Sequence, residues 1–118
     1  GTNAIQGLEV NFSGIDFTSR ASVLGTAKVF EDTGVAAYNG AGKLIKTADY
    51  LLLAGKIVSV EARHASAIRS LINPNSKDFA GDDIVSTSTG LDAAKDPSKI
   101  LPVAAGFITT KFTAKYLP

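Results

Sequence analysis

The chain has 118 residues, 45% of them apolar and 19% charged, and 12 basic against 11 acidic side chains leave a net charge of +1. That is enough for one globular domain with a modest core, and the even spread of both charge signs leaves no basic stripe for a nucleic acid. The absence of cysteine excludes disulfides, zinc knuckles and thiol catalysis, and the longest apolar run, Tyr50-Leu51-Leu52-Leu53-Ala54, is far too short to span a bilayer.

Residues 1–17 alternate with a short period: Leu8, Val10 and Phe12, then Ile15 and Phe17 after Ser13-Gly14. This predicts an extended segment lying on an apolar surface. No charged and apolar leader opens the chain. Gly1-Thr2-Asn3, with no Met anywhere, reads as the start of a processed chain or a fragment of a longer one.

A first helix is expected over 18–39. Thr18 or Ser19 serves as N-cap, and Leu24, Ala27, Glu31, Gly34, Val35 and Tyr38 recur at three- and four-residue steps. Asn39-Gly40-Ala41-Gly42 stops it. A second helix is expected over 47–72, capped by Thr47, with Asp49 in its first turn and Asn73-Pro74-Asn75 closing it. Its stripe reads Ala54, Ile57, Val58, Glu61, His64, Ala65, Ile68, Leu71 and Ile72, while Lys56, Ser59, Arg63, Ser66 and Ser70 form the opposite face. Arg69 is placed with Arg63 toward the polar side.

Residues 73–118 read as a loop-rich tail. Gly81-Asp82-Asp83 and Ser86-Thr87-Ser88-Thr89-Gly90 are turn-forming, and Asp82-Asp83 is taken as a solvated loop. Asp96-Pro97 starts a short helix near 97–106, shortened or bent by Pro102. The β-branched run from Phe107 to Thr113 looks extended.

Two residues break the apolar stripe of the second helix. Glu61 and His64, at i and i+3, project from neighbouring turns, where Leu or Ala is expected. A carboxylate in such a stripe needs a partner, because burying it alone costs several kcal/mol. Glu-x-x-His on a helix makes a two-ligand platform for a cation. Glu31 repeats the anomaly on the first helix. It lies roughly 14–17 Å before the turn, and Glu61 lies roughly 21 Å beyond Thr47. In an antiparallel hairpin the two carboxylates therefore reach similar depth. A buried structural ion pair is the competing reading. Tyr38, seven residues after Glu31, is read as core packing with its hydroxyl at a polar edge.

The run Phe30-Glu31-Asp32-Thr33-Gly34-Val35-Ala36-Ala37-Tyr38-Asn39-Gly40-Ala41, followed by Val60-Glu61-Ala62-Arg63-His64-Ala65 and Ile68-Arg69, resembles the bacterial ferritin-like domain family, which is related to the plant desiccation-related proteins. The resemblance covers residues 17–72 well and implies an all-α four-helix bundle of which this chain supplies the third and fourth helices. It further implies a di-iron or di-manganese carboxylate site, with Glu31, Glu61 and His64 as metal ligands. Export to the periplasm or cell exterior is common in that family. A complete site there also takes a Glu and a second Glu-x-x-His from two further helices, and this chain has neither. The expected partner is a second copy, giving a homodimer, or an N-terminal half of a parent protein. Two functional classes follow: metal-based iron, dioxygen or peroxide chemistry or iron handling, or a non-catalytic exported stress-associated bundle in which the three polar residues form a buried network.

Overall fold

A computed structural model describes residues 6–113. The outer parts of the expected N-terminal segment and tail, residues 1–5 and 114–118, lie outside the described residues. The fold is all-α, with helices α1 (Arg20–Ala41), α2 (Ala48–Ile72) and α3 (Pro97–Ala105) and short 3-10 turns at Gly42–Leu44 and Asp78–Ala80. Among the described residues there is no β-strand, only the antiparallel bridges Val10–Ile108 and Val85–Asp92.

Ser19, rather than Thr18, caps α1, its hydroxyl accepting the Ser22 amide at 3.3 Å. Thr18 is occupied one step earlier, its amide and hydroxyl both bonding the Asp16 carboxylate at 2.9 and 2.7 Å. Thr47 stands at the N-cap of α2 without a side-chain bond; Asp49 in the first turn and Arg69 in the last suit the two ends of the helix dipole. Pro102 lies inside α3, which ends within one turn of it.

α1 and α2 form a hairpin. Apart from Arg69, the buried residues of the hairpin are small: Val35, Ala36 and Gly40 on α1 and Ala54 and Ala65 on α2. The broad stripe read for α2 divides in two. Ala54, Val58, Glu61 and Ala65 are buried or half-buried, as are Ala62 and Arg69 beside them, whereas Ile57, His64 and Leu71, with neighbouring Leu53 and Val60, are exposed. Leu53 and Ile57 retain 52% and 43% of their accessible surface, far more than core positions keep.

The segment after α2 covers the other side of the hairpin. It crosses the end of α1 by backbone contact, the Lys95 amide donating to the Ala36 carbonyl at 2.9 Å and the Asn39 side-chain amide to the Ala93 carbonyl at 3.3 Å. Gly40 permits the crossing: a Cβ there would lie 2.0 Å from the Lys95 carbonyl oxygen. Backbone cannot yield as a side-chain tip can. Gly40→Ala is therefore expected to lift the segment and destabilise the fold by about 1–3 kcal/mol, despite alanine's better helix propensity. Urea denaturation, with loss of hydrogen-exchange protection at the Lys95 amide, checks this. The Lys43–Asp96 pair at the same crossing is mostly exposed and adds little.

The two ends of the described chain clasp each other. The Asn11 amide donates to the Phe107 carbonyl at 2.9 Å and the Thr109 amide to the Glu9 carbonyl at 3.0 Å. Phe107 packs at a tilt against Phe30 of α1 with centroids 4.6 Å apart, and Phe12 meets Phe30 edge-on at 6.0 Å. Among the described residues the two segments pair only at the Val10–Ile108 bridge, and residues 13–14 and 17–18 form turns where an extended run is expected.

Candidate metal centre

Two contacts define the register of the hairpin. His64 lies against Glu31, Nδ1 to Oε1 at 3.1 Å, and Glu61 lies against Gly34. As the α1 number rises by three, the α2 number falls by three (31 + 64 and 34 + 61 both equal 95), which is the register of an antiparallel pair. The similar depth expected for Glu31 and Glu61 follows from the same arrangement.

Glu31, Glu61 and His64 line one open groove of about 530 Å³ with Leu53, Lys56, Ile57 and Val60. They are unequally sheltered. The His64 side chain keeps 58% of its surface exposed and that of Glu31 24%. Glu61 lies deepest, and its Oε2 is buried without a hydrogen-bond partner. Burial, reinforced by the nearby Glu31 charge and only partly offset by His64, raises the Glu61 pKa above the ordinary carboxylate range.

Gly34 makes room for that carboxylate: a Cβ there would stand 2.7 Å from Oε2 and 2.9 Å from Cδ of Glu61. The obstruction would meet a flexible side-chain tip, so the carboxylate moves rather than the helix. Gly34→Ala is expected to hold or raise stability by up to about 1 kcal/mol through helix propensity, while expelling Glu61 from its niche. Carboxyl-carbon NMR titration should then find the Glu61 pKa returned toward the ordinary range.

Among the described residues no group of three or more His, Asp or Glu side chains converges as a ready-made cage for a cation. The donors nevertheless suit one in part. Oxygen and imidazole nitrogen ligands sit about 2.0–2.2 Å from a first-row divalent ion, so two such donors on one ion stand roughly 3.0–3.5 Å apart. The Glu31–His64 separation of 3.1 Å lies in that span. Glu61 lines the same groove, and its buried Oε2 has no protein partner. Carboxylate and imidazole together favour iron, manganese or zinc over calcium.

The sequence signature of the ferritin-like domain family matches residues 1–74. The chain belongs to this family. The match spans the N-terminal segment, α1 and α2, and ends just after α2; the covering segment and α3 lie beyond it. No curated protein and no solved structure matches the chain.

One reading of this ferritin-like chain is corrected. Arg69 does not point to the polar side: it is 3% exposed, among the most buried residues of the chain. Its Nε donates to Asp32 Oδ1 at 3.0 Å, Nη2 to Asp32 Oδ2 at 2.8 Å and Asp83 Oδ2 at 2.7 Å, and Nη1 to Asp83 Oδ1 at 3.0 Å and the Asp78 carbonyl at 3.2 Å. All of its donors are used. Asp83 is thus tied to a helix rather than simply solvated, and the Arg69 bonds hold its pKa below the ordinary range. The signal was present in the spacing. Ala54, Val58, Glu61, Ala65 and Arg69 recur at three- and four-residue steps, and continuing the series places Arg69 on the seam.

Proposed function

We propose that this ferritin-like chain is half of a carboxylate–histidine metal-binding bundle, in which Glu31, Glu61 and His64 hold iron or manganese once a second helical pair closes over their groove. The supporting observation is the buried, unpartnered Glu61 Oε2 beside the Glu31–His64 pair. Polar atoms sealed without a partner are rare and costly, and a cation shared with Glu31 and His64 would satisfy this one. A bound metal would supply Lewis acidity and electron exchange with dioxygen, peroxide or ferrous iron. The chain's part is to present the donors, to keep Glu61 dry against Gly34, and to hold His64 by its ring nitrogen.

The exposed strip of Leu53, Ile57 and Val60 borders the same groove. A contiguous apolar edge around polar groups marks an interface, and the opposite side of the hairpin is already covered by the segment after α2. A second copy of this chain is the proposed occupant, related by a twofold axis, and the pair would bring four Glu and two His together. An N-terminal half of a parent protein would meet the same need. The placement of the chain in the periplasm or outside the cell is part of the same proposal.

One observation favours a second reading. Glu31 and His64 already bond each other, as they would in a non-catalytic, stress- or desiccation-associated bundle with a purely structural polar network. Metal uptake separates the two. Purified chain incubated with Mn²⁺ or Fe²⁺ under argon, then desalted, is expected to retain metal by elemental analysis, and to lose it in His64→Ala. Equal retention in wild type and variant, or none in the wild type, supports the structural network instead.

A further inference from the structure

Continuing the pairing of Glu31 with His64 and of Gly34 with Glu61 would set Arg69 against residue 26 of α1. Yet its guanidinium grips Asp32, six residues further along α1 and about 9 Å higher on the axis. The reach follows from side-chain direction. Side chains lean toward the N-terminus of their own helix, so in an antiparallel pair Arg69 and Asp32 lean toward each other.

The bond is therefore a diagonal, and a diagonal resists sliding. Contacts straight across the seam, such as Glu31–His64 and Gly34–Glu61, lengthen little for a small axial slip. The small residues of the seam also offer few interlocking side chains to oppose one. A slip of one helical turn, about 5.4 Å, keeps the same helix faces together yet would separate Glu31 from His64 and carry Glu61 off the glycine. Asp83 and the Asp78 carbonyl hold the far side of the same guanidinium, so the segment beyond the family match clamps the brace in place.

We propose that Arg69 and Asp32 are positioning residues: their diagonal ion pair fixes the axial register of α1 against α2 that brings Glu31 to His64 and Glu61 to Gly34, with Asp83 locking the guanidinium. The proposal rests on the metal-site reading only for its consequence, which is how well the three donors are pre-arranged. The geometry itself needs no metal, and neither does the test.

His64 is the only histidine of the chain, so its ring signals are unambiguous. Nuclear Overhauser contacts from the His64 ring to the Glu31 methylenes, recorded on metal-free protein in EDTA, read the register directly. Asp32→Ala leaves Arg69 paired with Asp83 and so strands no buried charge. It is expected to keep its helices by circular dichroism and lose the His64–Glu31 contact. Asp83→Ala is expected to keep that contact while amides of residues 78–93 lose exchange protection. Should Asp32→Ala fail to fold, Asp32→Glu, which keeps the charge and extends it by one methylene, is expected to fold with the contact weakened. Wild-type contact strength in Asp32→Ala or Asp32→Glu, or equal loss in Asp32→Ala and Asp83→Ala, overturns the proposal. The expected pattern in a wild-type protein that takes up no Mn²⁺ leaves the brace standing and removes the metal site.

Discussion

Replacing Arg69 with Ala is expected to cost about 3 kcal/mol of folding stability, enough to consume a large share of the roughly 5–15 kcal/mol available to a domain. The loss is not that of a favourable pair but of compensation. Asp32, only 17% exposed, would remain as a sheltered carboxylate without its partner, and the Asp78 carbonyl would lose its donor. Asp83, with 60% of its side chain in solvent, can rehydrate, which keeps the figure at the lower end for broken buried pairs. Arg63, exposed on the same helix, supplies the contrast: Arg63→Ala should fall within about 0.5 kcal/mol of wild type. Urea denaturation of both variants checks the difference. The acid limb should change as well. A depressed folded pKa for Asp83 contributes stability that is present above its unfolded pKa and lost as pH falls through the folded one. In Arg69→Ala that contribution disappears, so the variant loses less further stability than the wild type does as pH falls below the ordinary carboxylate range.

Glu61→Gln is expected to move stability and metal retention in opposite directions. The folded pKa of Glu61 is raised, so the folded state binds this proton more tightly than the unfolded chain. The penalty is absent below the unfolded pKa. It grows as pH rises toward the folded pKa and is complete above it. Above the ordinary carboxylate range the metal-free wild type therefore carries a penalty at this position. Gln has the same shape without the charge and should gain about 1 kcal/mol there, with the advantage fading as pH falls through the carboxylate range. The same substitution removes the oxygen that a cation would use. Mn²⁺ should thus raise the melting temperature of the wild type and leave that of Glu61→Gln unmoved. A variant that is no more stable at pH 7 and still responds to Mn²⁺ would show that the Glu61 carboxylate is neither strained nor a ligand.

The helices were legible in the sequence because their signals are local. Ser19 and Thr47 as cap positions, Asp49 in a first turn and the Asn73-Pro74-Asn75 stop depend on a few neighbouring residues, and α1 and α2 begin and end within two residues of those signs. The similar depth of Glu31 and Glu61 was also legible, since two helices joined by a short turn leave little freedom of register; that Glu31 meets His64 and Glu61 meets Gly34 came from the packing. What escaped was the division of the α2 stripe. Ile57 and Val58, or His64 and Ala65, are adjacent in sequence and both fall within one broad apolar arc, yet one of each pair is sheltered and the other exposed. Only the packing angle decides which. The route of the segment after α2 escaped for a different reason. It depends on Gly40 meeting the Lys95 backbone and on Arg69 meeting Asp83, contacts between distant residues whose local sequence reads simply as turn and loop.

The clasp of the chain ends has a consequence for the order of assembly. The bond from the Glu9 amide to the Thr110 hydroxyl spans 101 residues, against 33 for Glu31 and His64. Closing the longer loop costs more chain entropy before any contact returns it, and contacts of long separation form slowly. The hairpin can therefore reach its register before the ends meet. Phe107 then arrives on a Phe30 already held in place, and the clasp is the first part of the fold to open when stability is withdrawn.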